Sequence, residues 1–365
     1  MFDWVPLKNY EHAYYLVLAY FLIAVLTFSI KYAVLPNKTV YYYSAKVISN
    51  ILLIFSIFYI GLRPISGQFV DMTSYKGFFD YLKNLSIFPS DLTSDRLFWY
   101  YMYSISRLFE AKIFFFITAF LYILPMYWVS KYNFKKLWFF GFFLFISAFS
   151  FFAYGTNGIR NGLATSVFLL VFSTNKKFFQ SLWLLIAYLI HGSMLIPIVA
   201  FILSSFYRNT NRLIALWLAC IPISLLFGSS IQTLFASVSG DDRTSYLIAN
   251  VNDENAYISG FRWDFIAYSA SAIIIGWYTK KRFNLIDRRY DLIFGTYLIA
   301  NSIWILVINA SFSNRFAYLS WFLMPLVVIY PSLKHYQHNL NDKMLIYITL
   351  FYFSFTLLMV LIYSL

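Results

Sequence analysis

The sequence has little charge and almost no cysteine. Only 12% of its 365 residues are charged, whereas 61% are hydrophobic. An ordinary soluble domain has about 25% charged residues, so composition excludes that class. Many apolar runs are long enough to span a bilayer core of about 30 Å. These features predict an all-α, polytopic integral membrane protein that forms a single membrane domain over residues 1–365.

The single cysteine, Cys220, excludes an internal disulfide framework and a cysteine-rich metal site. Because it lies in an apolar run, we expect a buried, unreactive thiol. The sequence contains no Walker loop, no GxGxxG and no His-x-x-x-His motif. The pair Asp241-Asp242 could bind a divalent ion, but it is better interpreted as part of an exposed acidic loop. We therefore expect no metal and no cofactor.

The net charge of +13 could suggest a nucleic-acid partner. The charges nevertheless fall in small clusters between apolar runs, which is how lysine and arginine set membrane topology. This distribution favours membrane lipids as partners and argues against nucleic acid. Residues 1–13 mix acids, a proline and aromatics, so we expect no cleaved leader there.

Twelve membrane spans are predicted. They lie near residues 13–35, 46–62, 112–130, 137–154, 157–174, 177–191, 193–207, 212–230, 262–280, 290–309, 315–331 and 343–363. The aromatic, amphipathic segment 95–110 is predicted as an interfacial helix that does not cross the bilayer. With this assignment every basic cluster lies on one side, as the positive-inside rule requires. Both termini and two long loops, 63–111 and 231–261, are then on the outer side.

Arg160 is the leading candidate for substrate binding. Thr156 or Asn157 could cap a helix whose first turn contains Arg160. A cation there opposes the positive end of the helix dipole, so local stability does not explain the arginine. Free N–H groups of the helix and a guanidinium together suit an anion such as phosphate. The alternative is an interfacial arginine whose side chain extends towards lipid headgroups.

His191 ends the next predicted span and is followed by Gly192. A histidine suits the negative end of a helix dipole, which is a structural reason for its position. Its ordinary pKa of about 6.5 also suits a general base. If the turn at Lys176-Lys177 is cytoplasmic, His191 and Arg160 lie on the same outer side.

Three more arginines are predicted at outer helix ends. They are Arg63, Arg262 and Arg315, and the acids Asp71 and Asp264 and the phenol of Tyr75 lie near them in sequence. Convergent guanidinium groups would suit the spread charge of a pyrophosphate. A simple salt bridge, for instance between Arg262 and Asp264, is the alternative for each arginine taken singly.

These residues form a series that resembles a known family. The series is Gly61-Leu62-Arg63, Asp71-x-x-x-Tyr75, Gly158-Ile159-Arg160-Asn161-x-x-Ala164, Lys176-Lys177, His191-Gly192-Ser193, Phe261-Arg262-x-Asp264 and Ser313-Asn314-Arg315-Phe316. It resembles the EpsG-like branch of the Wzy-type polysaccharide (O-antigen) polymerases. Asn161 and Asn314 depart from that pattern, in which glutamine and aspartate are usual.

The resemblance implies a glycosyltransferase of the bacterial inner membrane with its active face in the periplasm. It would transfer a growing glycan from undecaprenyl pyrophosphate to a sugar hydroxyl of a lipid-linked repeat unit, without a metal. A chain-length regulator could be a further partner. A glycan ligase and a lipid-linked oligosaccharide flippase are the alternative functions.

The residues supply a compatible chemistry, since a pyrophosphate leaving group needs charge stabilisation and a base. Arg160, with Arg262 or Arg315, would bind the pyrophosphate, and His191 would act as the base. Asp71 and Asp264 are the rival bases. Aromatic side chains could stack on sugars or simply form an interfacial belt, and the candidates are Tyr75, Tyr81 and Trp99.

Overall fold

The computed structural model describes residues 2–33, 39–239, 260–310, 313–336 and 343–364. These ranges contain helices and connecting segments and no strand, which confirms the predicted all-α class. The helices are α1 (Tyr10–Ala33), α2 (Thr39–Gly61), α3 (Asp71–Asn84), α4 (Arg96–Ser106), α5 (Ala111–Phe134), α6 (Trp138–Ile146), α7 (Phe149–Thr156), α8 (Ile159–Leu169), α9 (Lys177–Ile190), α10 (Leu195–Phe206), α11 (Thr210–Ser239), α12 (Trp263–Arg282), α13 (Arg288–Leu306), α14 (Ser313–Trp321), α15 (Met324–Tyr336) and α16 (Lys343–Ser364).

Within the described residues, six helical segments are long and apolar enough to cross a membrane, which confirms a polytopic membrane protein. They are Leu7–Thr27, Tyr43–Gly61, Ala111–Ile146, Thr210–Leu234, Ser313–Tyr336 and Met344–Tyr363. Shorter apolar helices cover Ile159–Ser173, Lys177–Ile190 and Gly192–Phe206. The total of twelve spans stays a prediction.

Helices suit these apolar sequences because a bilayer offers no hydrogen-bond partner to the backbone. Hydroxyl groups within the helices follow the same rule and bond to a carbonyl one turn earlier. Ser49 donates to Ala45 O at 2.7 Å, and Thr118 donates to Phe114 O at 2.7 Å. Cys220 is buried in α11, as predicted.

The chain divides into two compact units, Met1–Met194 with Ser332–Leu365, and Leu195–Pro331. In the first unit, α5 packs against α2, α6 and α8, and α8 packs against α9. Close packing of α7 and α8 depends on Gly162, because an added Cβ would lie 2.5 Å from Tyr154 O. The prediction of one membrane domain stays a prediction.

The second unit is built around α13, which packs against α10, α11 and α14. Its interior contains a buried polar cluster centred on Asn301. Trp217 Nε1 donates to Asn301 Oδ1 at 2.6 Å, and Asn301 Nδ2 donates to Ser269 Oγ at 3.1 Å and Ser320 Oγ at 2.8 Å. Each polar group therefore has a partner, as burial requires.

Two short helices occupy the first predicted loop, 63–111. The 11 residues of α4 extend over about 16 Å. That length is too short to cross a bilayer, in agreement with the non-crossing helix predicted at 95–110. Helix α3 was missed, and it packs against α4 and α5. The loop is thus a folded part of the first unit.

Two other boundaries differ from the predictions. The predicted span 137–154 is broken between α6 and α7, where Ala148 has extended backbone angles. Tyrosine hydroxyls replace the lost helical bonds, since Tyr14 donates to Ile146 O and Tyr15 donates to Ala148 O. The second predicted loop, 231–261, begins as helix because α11 runs to Ser239. Its acids Asp241, Asp242, Asp253 and Glu254 lie outside the described residues.

Candidate functional site

Arg160 lies in the first turn of α8. The cap is Gly158, which makes no side-chain cap hydrogen bond, so the predicted capping by Thr156 or Asn157 is wrong. Both side chains have other partners: Thr156 Oγ1 donates to Phe152 O at 2.8 Å, and Asn157 Oδ1 accepts from Asp71 N at 2.8 Å. Neither side chain is therefore available to cap the first turn of α8.

Asp95 holds Arg160 and the turn at His191 together. Arg160 Nη1 donates to Asp95 Oδ2 at 2.8 Å, and Gly192 N donates to Asp95 Oδ1 at 2.9 Å. The Asp95 side chain is 1% exposed, whereas that of Arg160 is 20% exposed. Asp95 precedes α4 with φ of 53°, a left-handed conformation that aspartate tolerates. Its carboxylate fixes the guanidinium and the turn relative to each other.

An aromatic wall borders the guanidinium. The Arg160 Cζ atom lies 4.8 Å from the ring centre of Trp99 and 6.0 Å from that of Tyr75. Burial raises the pKa of the Tyr75 hydroxyl, and the neighbouring Arg160 charge opposes part of that rise. Arg160 Nε is buried and has no hydrogen-bond partner. Tyr81 is exposed and packs on Phe78, which in turn packs on Trp99.

The turn after α9 determines which ring nitrogen of a neutral His191 carries the proton. Ser193 N donates to His191 Nδ1 at 3.2 Å, so the lone pair of Nδ1 is used. A neutral imidazole with an acceptor at Nδ1 carries its proton on Nε2. His191 Nδ1 and Asp95 Oδ1 are 3.9 Å apart, beyond hydrogen-bond distance. His191 therefore offers an Nε2–H donor in this geometry.

Asn161, one of the two departures from the resembled pattern, has a defined partner. Ser193 Oγ donates to Asn161 Oδ1 at 2.8 Å. The bond ties the first turn of α8 to the segment that carries His191. The side chain after Arg160 thus supports the site rather than facing a ligand.

Asp71 begins α3 next to the same junction. Its backbone N–H is held by Asn157, and its side chain is half-buried. The preceding residue, Val70, has φ of 29°, a strained conformation for a β-branched side chain. Such strain persists only where the surroundings enforce it. The start of α3 is therefore fixed against the junction of α7 and α8.

Arg63 faces the interior of the first unit. Its residue exposure is 2%, and it donates to Ile60 O at 2.5 Å and to Thr156 O at 2.8 Å. Burial lowers its pKa to about 9, which leaves the guanidinium charged at neutral pH. The geometry fits a structural role, in which Arg63 links the ends of α2 and α7 and thereby supports the site.

The remaining predicted residues lie in the second unit. Arg262 makes a two-point ion pair with Asp264, with Nε to Oδ1 at 3.0 Å and Nη2 to Oδ2 at 2.7 Å. The Arg262 guanidinium also lies 3.6 Å from the ring centre of Phe265. Arg315 is exposed in the first turn of α14. The roles predicted for these three residues in substrate binding and catalysis stay predictions.

The first unit thus gathers a cation, an N–H donor, a carboxylate and aromatic surfaces at one place. This combination suits binding of a phosphorylated sugar. Among the described residues, no group of three or more His, Cys, Asp or Glu side chains could hold a metal ion. Asp95 was missed as a site residue, because nothing in its sequence surroundings separates it from the other aspartates of the segment 63–111.

Comparison of the chain with known proteins identifies its family. Searches of curated proteins and of solved structures give no significant match. The sequence model of the EpsG family matches residues 46–365, a range that includes all the residues of the site in the first unit. At family level this supports a glycosyltransferase-type polysaccharide polymerase. The match extends over most of the chain, and the chain therefore belongs to the EpsG family.

Proposed function

We propose that this protein polymerises oligosaccharide repeat units carried on undecaprenyl pyrophosphate, at the periplasmic face of the bacterial inner membrane. The observation that carries the proposal is the Arg160 guanidinium. It is partly exposed and is held by the buried carboxylate of Asp95, and the same carboxylate lies 3.9 Å from His191 Nδ1. A guanidinium fixed in this way is suited to bind a pyrophosphate oxygen.

In the proposed step, the acceptor hydroxyl attacks the anomeric carbon of the donor glycan. A carbon–oxygen bond to the acceptor forms, and the bond between the anomeric carbon and the pyrophosphate oxygen breaks. The leaving lipid pyrophosphate takes the electron pair, and a base takes the hydroxyl proton. Arg160 stabilises the charge that develops on the leaving group, where a fixed donor has its largest effect.

The geometry of the turn at His191 supports one choice of hydrogen-bond donor to the phosphate and of base. Because Nδ1 accepts from Ser193 N, His191 presents Nε2–H, which suits donation to a phosphate oxygen. Asp71, anchored beside the same junction, then becomes the base. The earlier assignment of His191 as base requires the opposite tautomer, with its proton on Nδ1 and the bond from Ser193 broken.

The test is extension of a purified lipid-linked repeat unit by the purified full-length protein. We expect Arg160→Ala to abolish extension and Arg160→Lys to retain little, because lysine lacks the planar fork of donors. Arg96→Ala is the matched control, since Arg96 is exposed in the first turn of α4. Membrane levels of all variants should equal those of the wild type.

Four results would contradict the proposal. Full extension by Arg160→Ala would remove its centre, and equal losses in Arg160→Ala and Arg96→Ala would indicate a nonspecific charge effect. Transfer of one unit without a ladder of longer products would indicate a ligase. The assay is run with and without chelator, and loss of extension with chelator would contradict the metal-independent step.

A further inference from the structure

A pocket of about 300 Å³ lies in the second unit, and its lining contains none of the residues discussed above. It is formed by the start of α11, the end of α12 and the segment that follows α12. The lining residues that bear on its chemistry are Asn209, Thr210, Asn211, Trp277, Lys280 and Lys281. The volume is at the lower end of the range of ligand pockets, about 300–1,000 Å³.

The polar side chains of this pocket are arranged to donate hydrogen bonds. Asn209 Oδ1 already accepts from Arg212 N at 3.1 Å, and Asn211 Oδ1 accepts from Trp277 Nε1 at 3.1 Å. Both amide oxygens are therefore used, and the NH₂ groups are the polar ends left for a ligand. Such a set of donors favours an anionic or strongly accepting group.

Two lysines add positive charge. Lys280 Nζ donates to Thr210 Oγ1 at 2.9 Å and to Asp291 Oδ1 at 2.5 Å, and an ammonium has a third donor. Lys281 is exposed, and its Nζ lies 6.0 Å from the ring centre of Trp277. Because Asp291 offsets only the charge of Lys280, Lys281 leaves the pocket with an excess positive charge.

The end of α12 does not compete with a ligand for these donors. Its last carbonyl groups accept from the backbone of the following segment: Thr279 O from Phe283 N, Lys281 O from Asn284 N, and Lys280 O from Leu285 N. Asn284 has φ of 45°, which this tight turn requires and which asparagine tolerates. The helix end is thus satisfied internally.

An apolar groove of about 350 Å³ continues from the pocket. It shares Asn211 and Trp277 with the pocket and is otherwise lined by Ile214, Ile273 and Ile274. Ile214 lies about one helical turn after Asn211 in α11, and Ile273 and Ile274 lie about one turn before Trp277 in α12. One turn corresponds to roughly 5 Å along each helix. Ile274 is exposed. A donor-rich pocket joined to an apolar groove has the two-part shape of a lipid with an anionic headgroup.

We propose that this pocket and groove bind an anionic phospholipid of the surrounding bilayer. The phosphate accepts hydrogen bonds from the two asparagine amides and Lys280, with Lys281 close to the headgroup. One acyl chain lies against Ile214, Ile273 and Ile274. Basic pockets at membrane helix ends are known to favour such headgroups. The proposal is independent of the proposed polymerase activity.

Native mass spectrometry of the full-length protein in detergent tests this site with phosphatidylglycerol as the probe. We expect saturable binding of one phosphatidylglycerol and at least about fivefold weaker binding of phosphatidylcholine, because the quaternary ammonium of phosphatidylcholine is repelled by Lys281. Lys281→Glu should weaken phosphatidylglycerol binding by about fivefold or more, because it replaces an attractive charge near the headgroup with a repulsive one. Lys131→Glu is the matched control, because Lys131 is an exposed lysine of α5 that does not line this pocket.

Ile274→Trp tests the groove separately. It adds bulk at an exposed position without changing charge, so the protein should fold and bind phosphatidylglycerol more weakly. Glycerol phosphate, which lacks the chains, should compete poorly with phosphatidylglycerol. The proposal is overturned by equal binding of the two phospholipids, by equal effects of Lys281→Glu and Lys131→Glu, or by full competition from glycerol phosphate.

Discussion

Asp95→Asn should lower the rate of chain extension strongly while the protein remains folded. The substitution keeps the size of the side chain and retains one oxygen, which still accepts from Gly192 N. It replaces the other oxygen with an NH₂ group, and this group faces the Arg160 Nη1 donor that is 2.8 Å from the present carboxylate. Two donors then oppose each other, and the guanidinium must turn away.

The size of the expected loss of rate follows from the burial of the ion pair between Arg160 and Asp95. Removing one partner of a fully buried ion pair costs about 3–5 kcal/mol. Arg160 is 20% exposed, so water relieves part of that cost. A hydrogen bond to a charged group contributes about 1.5–3 kcal/mol. If the Arg160 guanidinium moves by about 1 Å, we expect the rate of extension to fall by about 10²-fold. This loss corresponds to about 2.7 kcal/mol, which lies within the range given for a hydrogen bond to a charged group.

The assay measures kcat and KM for extension of the lipid-linked unit, with thermal unfolding in detergent as the folding check. Asp91→Asn is the control, because Asp91 is an exposed aspartate of the same segment. Asp95 is a positioning residue if it acts through Arg160, so Asp95→Asn should reduce the residual activity of Arg160→Lys by much less than 10²-fold. Additive losses, or wild-type kcat in Asp95→Asn, would refute this reasoning.

Two further predictions concern His191 and Arg63. His191→Gln should retain measurable extension, since glutamine places an NH₂ donor near the position of Nε2, whereas His191→Asn should lose it. Equal loss in both variants would favour His191 as the base, whereas the reverse order would indicate that the Nδ1 position, not Nε2, carries the important contact. Arg63→Met should lower the melting temperature, because Ile60 O and Thr156 O lose a buried donor. The kcat/KM of the folded Arg63→Met fraction should stay within about threefold, and a loss of about 10²-fold would favour the predicted contact with substrate.

Long apolar runs made the membrane helices predictable, because hydropathy alone decides them. The breaks within those runs were not predictable. The chain leaves the helix at Ala148 because Tyr14 and Tyr15, more than 130 residues earlier, provide donors for the carbonyls at the break. Helix α3 was missed for a related reason: its apolar residues are spread among polar ones and become a face only against α4 and α5.

The candidate site was partly predictable. The hairpin of α8 and α9 predicted that Arg160 and His191 lie on one side. In the structure both residues lie next to Asp95. The carboxylate itself could not be singled out, since Asp71, Asp80, Asp91 and Asp95 have similar sequence surroundings. The burial of Asp95 depends on its contacts with Arg160 and Gly192, which lie 65 and 97 positions further along the sequence. Tertiary pairing of that kind leaves no local pattern.

The ion pair with Asp95 gives Arg160 a structural partner that sequence reasoning did not supply. It does not, however, explain Arg160 by stability alone. A buried ion pair often contributes little net stability, and an apolar pair of the same volume is commonly as stable or more stable. The guanidinium is thus held in a defined orientation at an energetic cost, beside Trp99 and the His191 turn. That cost is understandable if the remaining donors bind a charged substrate, so the ion pair supports the functional interpretation of Arg160.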